Sequence, residues 1–245
     1  MKPETFSEIW VYLSASPLLH LTLTIVAYLF GDWLFRVSGR KALLNPVLLA
    51  VVALVAILAA TGTTYQTYFA GAQFVHFLLG PATVALAVPL YFNVSKLRRL
   101  WLPLGAGLVA GSVTAALSAI GIAWLLGASP ETALALAPKS VTAPVAMGIA
   151  EKLGGPPSLT AILVVSTGIL GAVLGPLVLT ALRVNQPAVR GFALGTTSHG
   201  IGTARAFQEN EEAGAFSGLA MGLNALLSSL LLPPLLYLVG ASLLG

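Results

Sequence analysis

Two apolar stretches of the chain are interrupted by polar and charged side chains whose types suit the binding of a small anion. Residues 137–148 hold Lys139 among serine and threonine, and residues 195–206 hold His199 in a similar setting. A cationic side chain attracts a carboxylate, and neighbouring hydroxyl groups donate hydrogen bonds to it. The two stretches are therefore candidate contacts for a carboxylate or a hydroxy acid.

Each stretch also contains helix breakers. Pro138 and Pro144 remove backbone donors from the first stretch, and three glycines are expected to break the second. A helix that restarts after a break exposes its first N–H groups, which together with the helix dipole favour an anion. The candidate substrate-binding residues are Lys139, Ser140, Thr142, Pro144, Ser198, His199, Gly200, Gly202, Thr203 and Arg205, and the expected breakers of the second stretch are Gly195, Gly200 and Gly202.

Structural roles compete with binding at several of these positions. Lys139 either contacts an anion or extends its charged head to water at the membrane interface. His199 is either a ligand-binding group or a packed histidine. Arg205 and Glu209 lie four residues apart, a spacing that fits a helix-end ion pair as well as a substrate clamp. Asn224 lies in an apolar run, where hydrogen bonding between helices is the expected role.

The sequence gives no indication of enzyme chemistry. It has no cysteine, no histidine cluster with metal-ligand spacing and no phosphate-binding loop. Ser198 and His199 are adjacent, which is the wrong geometry for a nucleophile and its base. We therefore expect neither catalysis nor a cofactor or metal, and a membrane-embedded hydrolase is disfavoured.

Composition indicates a helical membrane protein. Hydrophobic residues make up 57% of the chain and charged residues 8%, and the mean hydropathy is +0.93. Soluble proteins carry about 25% charged residues. The pI of about 9.6 does not indicate nucleic-acid binding, because the basic residues form short clusters between apolar runs. The predicted fold is all-α and polytopic.

Charge-free runs locate the membrane spans. A spanning helix needs roughly 20 apolar residues, and the sequence supplies five or six such runs, at 18–35, 42–60, 69–92, 101–127, 157–182 and 213–245. Residues 1–17 lack the features of a signal peptide and are expected to lie at the interface. We divide the remainder into scaffold-like helices, 18–100, and a pair of transmembrane repeats, 101–245.

The basic loops predict that one segment enters the membrane and returns. Clusters ending at Lys41, Arg99 and Arg190 belong on the cytoplasmic side. If 132–153 crossed fully, the last cluster would fall on the opposite side, so this segment is predicted to be re-entrant and to line protein or a cavity. A shift of 58 residues brings Ser140 onto Ser198 and the segment onto a second broken segment, 187–210.

A repeat built from one span and one re-entrant segment has an odd number of crossings. The second copy must then be inverted in the membrane. Paired interrupted segments in inverted repeats mark the binding sites of transporters. The architecture therefore predicts an elevator-type transporter in which the two broken segments meet near the bilayer midplane.

Five stretches resemble the LrgB/CidB family of bacterial inner-membrane proteins, and they are spread over nearly the whole chain. They are residues 78–91, 138–146, 168–176 (GILGAVLGP), 198–206 (SHGIGTARA) and 214–222. The resemblance implies a multi-pass protein of the bacterial inner membrane. One tradition describes such proteins as antiholin-like regulators of murein hydrolase activity and lysis, working with an LrgA/CidA-like membrane partner.

A second tradition for the family is carboxylate transport. The LrgB-like half of the plastidial glycolate/glycerate translocator is similar, and bacterial pairs have been linked to pyruvate uptake. We therefore expect a transporter of small monocarboxylates such as glycolate, glycerate, pyruvate or lactate, coupled to protons or another ion and assembled as a homodimer. The antiholin-like regulator is the alternative.

Overall fold

The computed structural model describes residues 17–39, 41, 44–78, 81, 84–85 and 87–243, and its regular elements there are helices. Residues 1–16, on which the predicted interfacial segment depends, lie outside this part of the chain. The helices are α1 (Pro17–Val37), α2 (Pro46–Thr61), α3 (Tyr65–Phe77), α4 (Ala87–Phe92), α5 (Val94–Leu125), α6 (Pro130–Leu136), α7 (Ala143–Leu153), α8 (Pro157–Ala181), α9 (Pro187–Glu209) and α10 (Glu211–Leu243).

Proline and glycine mark many of the helix ends. Six helices have a proline among their first two residues, where the missing N–H would have no partner within the helix, namely Pro17, Pro46, Pro130, Pro144, Pro157 and Pro187. Gly62 and Gly154 end α2 and α7 in the left-handed conformation that glycine adopts without strain. Asn45 caps α2 by accepting hydrogen bonds from the Val47 and Leu48 N–H groups.

Four described helices are long and apolar enough to cross a membrane, and they are α1, α5, α8 and the part of α10 from Glu211 to Tyr237. The sequence predicted five or six spans, and two of the predicted runs do not form such a helix among the described residues. Helix α2 has only 16 residues. The predicted span 69–92 is not one helix, since α3 ends at Phe77, shortly before the Gly80-Pro81 pair. Proline disfavours helical backbone in the residue before it and removes a donor.

The chain forms two compact units, residues 1–85 and 86–245. In the first, α1 packs closely on its neighbours at two glycines. A Cβ atom on Gly31 would lie 2.8 Å from the Pro46 carbonyl oxygen, and one on Gly71 would lie 2.1 Å from the Pro17 carbonyl oxygen. The Thr24 and Tyr68 hydroxyl groups are hydrogen-bonded at 2.9 Å. The polar stretches singled out in the sequence all belong to the second unit.

Helix α9 is a hairpin rather than one rod. The Arg190 Nε atom lies 3.0 Å from the Glu209 Oε2 atom, although the two residues are 19 positions apart. In a straight helix their Cα atoms would be about 28 Å apart at roughly 1.5 Å per residue. The chain turns back at Ser198 and His199, whose φ/ψ angles are −130°/16° and 42°/−132°. The predicted break in this segment is therefore present.

The glycines are not the residues that break α9, so that expectation was wrong. The non-helical backbone belongs to Ser198 and His199, and the positive φ falls on the histidine. Gly195 and Gly202 instead permit close packing. A Cβ atom would lie 2.1 Å from the Ser217 carbonyl oxygen at Gly195, and 2.5 Å from the Leu194 carbonyl oxygen at Gly202. The latter contact holds the two arms of the hairpin together.

Helices α6 and α7 form a second hairpin. They are separated by residues 137–142, which include Pro138. After α7 the chain returns to α6, since a Cβ atom on Gly155 would lie 2.9 Å from the Ala135 backbone nitrogen. Shifted by 58 residues, the α6–α7 turn falls on 195–200, which contains the α9 turn. The order of one long helix followed by one hairpin thus occurs twice, as α5 with α6–α7 and α8 with α9.

The hairpins predict which residues share a side of the membrane. Because the chain has no cysteine, single-cysteine variants need no prior substitutions. Asn185→Cys and Asn210→Cys, which flank α9 and are exposed, should react with a membrane-impermeant maleimide from the same side. Glu131→Cys and Lys152→Cys, at the two ends of the α6–α7 hairpin, should both react from the other side. Labelling of Asn185→Cys and Asn210→Cys from opposite sides would contradict the hairpin.

Candidate functional site

A single buried amide joins the tips of the two hairpins. Asn224 lies near the middle of the α10 span and is 1% exposed. Its Nδ2 atom donates to the carbonyl oxygen of Ser140 in the α6–α7 turn, at 3.3 Å. The same nitrogen donates to the carbonyl oxygen of Thr196, just before the α9 turn, at 2.9 Å. The two broken stretches predicted from the sequence are therefore brought together.

The side-chain oxygen of Asn224 also has hydrogen-bond partners. The Ser112 hydroxyl of α5 donates to Asn224 Oδ1, and the Ser228 hydroxyl donates to the same atom at 3.4 Å. An Asn side chain offers two N–H donors and two acceptor positions, and all four have partners. The expected interhelical role of Asn224 is confirmed, and its partners come from α5, α9, the α6–α7 turn and α10 itself.

The tip of α9 packs against two glycines of α8. A Cβ atom on Gly171 would lie 1.7 Å from the Ser198 Oγ atom, and one on Gly168 would lie 2.6 Å from the His199 ring. Ser198 is completely buried. His199 is buried too, and its Nε2 atom lies 3.0 Å from the Val164 carbonyl oxygen. A carbonyl only accepts, so Nε2 carries the proton.

Through these contacts His199 is packed within the protein. A ligand-binding role for His199 stays a prediction. Its backbone is tied as well, because the Thr203 hydroxyl donates to the His199 carbonyl oxygen at 2.9 Å. With that hydrogen committed, Thr203 accepts from the Ser217 hydroxyl of α10 at 3.0 Å. Ser198, His199, Gly202 and Thr203 are thus buried in contacts within the protein, whereas Gly200 is exposed at the tip.

The α6–α7 tip holds the more accessible candidates. Lys139 is half-buried, and its Nζ atom donates to the Ser140 hydroxyl at 3.3 Å. Among the residues that the structure describes, no carboxylate lies within 4.0 Å of this ammonium group. Thr142 precedes α7 but its hydroxyl makes no capping hydrogen bond, and Pro144 in the first turn is exposed. A cation and a hydroxyl group therefore stand beside an uncapped helix start.

Arg205 lies away from the tips, in the ion cluster at the base of α9. Glu209 receives two hydrogen bonds from Arg190, at 3.0 and 3.3 Å. The Arg205 Nη2 atom is 3.8 Å from the same carboxylate, and its Nη1 atom donates to Gln208 at 3.3 Å. Arg190 also donates to the Val184 carbonyl oxygen at 3.0 Å. This geometry fits the ion-pair alternative for Arg205.

Two features of the site could not be predicted fully from the sequence. Asn224 was visible as a polar residue in an apolar run, but its partners lie 28, 84 and 112 positions away. Gly168 and Gly171 lie in the 168–176 motif that carried the family resemblance, and the sequence did not indicate which residues pack against them. In the part of the chain that the structure describes, no group of His, Cys, Asp and Glu side chains is placed to hold a metal ion.

The Gly171–Ser198 contact predicts a suppressor pair. Gly171→Ala should lower the melting temperature in detergent by about 2–12 °C, the range that corresponds to an overpacking cost of about 1–3 kcal/mol. Adding Ser198→Gly should restore most of the loss, because the nearest remaining atom, the residue 198 Cα, lies 3.8 Å from the new methyl group.

The matched control is Gly222→Ala in α10, whose Cβ position has no atom within 4 Å. This variant should melt at or slightly above the wild-type temperature, because alanine is the better helix former. The contact is refuted if Gly171→Ala behaves like Gly222→Ala, or if Ser198→Gly gives no rescue.

Comparison with known proteins identifies the family. The model of the LrgB-like family matches residues 24–238. An uncharacterized protein of Haemophilus influenzae is 38% identical over 208 residues, which cover 84% of this chain and 90% of that protein. The Holin-like protein CidB of Staphylococcus epidermidis is 33% identical over 227 residues, covering 93% and 98%.

A more distant relative is the Antiholin-like protein LrgB of Bacillus cereus, which is 28% identical over 225 residues, covering 92% of this chain and 98% of that protein. No solved structure matches the chain. The family match covers most of the chain and includes both hairpins, their glycine-lined partner α8 and Asn224. This multi-pass membrane protein therefore belongs to the LrgB-like family.

Proposed function

We propose that the protein transports small monocarboxylates across the bacterial inner membrane. The observation that carries this proposal is that two helical hairpins meet, tip to tip, at the buried Asn224 amide. Irregular backbone at membrane depth is tolerated only where protein or a cavity surrounds it. Paired interrupted segments of this kind form the binding sites of secondary transporters.

The chemistry of the tips favours a carboxylate. Lys139 supplies a positive charge without a neighbouring carboxylate among the described residues. Thr142, whose hydroxyl makes no capping hydrogen bond, supplies a hydroxyl group three residues further along the chain. The uncapped start of α7 adds backbone N–H groups and the positive end of its dipole. A small anion with an adjacent hydroxyl or keto oxygen fits this set of donors.

The repeated order of helix and hairpin supports alternating access. Each unit of α5 with α6–α7, or of α8 with α9, makes an odd number of crossings if its hairpin is re-entrant. The two units are then inverted relative to each other, and we propose that the hairpins move together in an elevator-type step. Coupling to protons or another ion and assembly as a homodimer belong to the same proposal.

Uptake into vesicles tests the proposal. Proteoliposomes that contain only this chain should take up labelled glycolate, glycerate, pyruvate or lactate, and the uptake should saturate. Lys139→Ala should lower uptake about 10- to 100-fold below saturation, the loss expected when a charged hydrogen bond worth about 1.5–3 kcal/mol is removed. Lys152→Ala is the control, since Lys152 is exposed near the end of α7.

Lys139→Arg should retain part of the uptake activity, because arginine keeps the positive charge but carries it on a planar guanidinium group instead of a compact ammonium group. Equal uptake by wild type and Lys139→Ala would remove Lys139 from the site. Failure of the folded protein to take up any of the four acids, with and without a pH gradient, would contradict autonomous transport.

The second candidate function is regulation of murein hydrolase activity and lysis. The names of relatives, Holin-like protein CidB and Antiholin-like protein LrgB, favour this candidate, whereas the hairpin geometry favours transport. A regulator would act through helix contacts with an LrgA/CidA-like partner. Its lysis phenotype would survive Lys139→Ala and be lost on bulky substitution of lipid-facing small residues.

Co-reconstitution separates the two candidates. If uptake appears only when the LrgA/CidA-like partner is added, the transporter is a complex of both chains. If no uptake appears with the partner but the two proteins still bind each other, the regulator is the correct function.

A further inference from the structure

Exposed arginines and aromatic side chains follow one another closely in the sequence around the start of α5. We call Tyr91, Phe92, Arg98, Arg99 and Trp101 the arginine patch. Tyr91 and Phe92 are both 75% exposed and lie edge to face, with ring centroids 5.9 Å apart. The two arginines are exposed one turn before the tryptophan. Such a surface combines apolar area with positive charge.

Two tryptophans place this patch at the edge of the bilayer. Trp101 and Trp124 are each 65% exposed and lie near opposite ends of the α5 span. Their separation of 23 residues corresponds to about 34 Å along a helix, close to the hydrocarbon thickness of about 30 Å. Tryptophan concentrates at the two membrane interfaces. Arg98 and Arg99 therefore lie just outside the hydrocarbon, at the level of the lipid headgroups.

The two arginines of the patch form no ion pair with the residues that the structure describes. Lys96, nearby on the same helix, forms an ion pair with Glu212. Within the part of the chain that the structure describes, neither Arg98 nor Arg99 has a carboxylate within 4.0 Å. Both guanidinium groups are thus available to an anion from the surrounding membrane, beside aromatic side chains that contact lipid.

We propose that the arginine patch binds the headgroup of an anionic phospholipid. The Arg98 and Arg99 guanidinium groups hold the phosphate, because their planar forks match phosphate oxygens. Tyr91, Phe92 and Trp101 contact the upper part of the acyl chains. The proposal is independent of transport, since neither arginine belongs to the hairpins.

Thermal unfolding in a neutral detergent tests the proposal. Adding phosphatidylglycerol should raise the melting temperature of the wild type by about 5–10 °C, the shift given by a ligand at roughly one hundred times its Kd. Phosphatidylcholine should raise it by less than half as much. The double variant Arg98→Gln/Arg99→Gln should lose the difference between the two lipids while melting normally without lipid.

Arg183→Gln is the matched control, since Arg183 is also an exposed arginine but lies outside the patch, and it should keep the full shift. Arg98→Lys/Arg99→Lys should keep a partial shift, and this variant preserves the charge if the glutamines impair folding. A full shift in the glutamine variant, or an equal shift with inorganic phosphate in place of lipid, overturns the proposal.

Discussion

The arrangement of the second unit depends on the burial of one amide. Asn224 is enclosed in an apolar span, where an unpaired polar group costs about 1–3 kcal/mol. Its hydrogen-bonding positions are filled only when the α6–α7 turn, the α9 turn and α5 all lie beside α10. Both carbonyl acceptors belong to residues at or beside a hairpin turn, Ser140 and Thr196. Burial of the amide therefore ties the two turns to each other and to α10.

Each part of the α9 hairpin is secured by a different kind of interaction. The Arg190–Glu209 ion pair closes the base, where charges reach the interface. Glycines close the middle, since Gly202 allows the two arms to touch, and Gly171 makes room for Ser198 at the turn. Small residues stabilise helix packing in a membrane more than large apolar residues do. A leucine side chain is as well accommodated by lipid as by a neighbouring helix, so burying it gains little. The result is a closely packed turn whose Thr196 carbonyl shares the Asn224 amide with Ser140, the neighbour of Lys139.

Much of this architecture could be predicted from the sequence, and the failures have physical causes. The charge-free runs predicted α1, α5, α8 and α10, and the prolines and loop charges pointed to the first break. The second break was located correctly but assigned to glycines, because the strain at His199 is imposed by long-range contacts with Val164 and Gly168. The partners of Asn224 could not be predicted, since nothing local specifies which carbonyl groups a buried amide will reach. Family membership followed from the motifs, whereas substrate and partner depend on chemistry that neither motifs nor packing determine.

Hydrogen–deuterium exchange of an Asn224→Ala variant tests the central claim most directly, namely that one amide holds both hairpin tips. Ser229→Ala is the control, because Ser229 is exposed on the same helix and its hydroxyl donates to the Ala225 carbonyl oxygen one turn earlier. Asn224→Ala should accelerate exchange in residues 137–142 and 195–200 together and leave the start of α8 unchanged. Acceleration at only one tip, or at neither, would contradict the account.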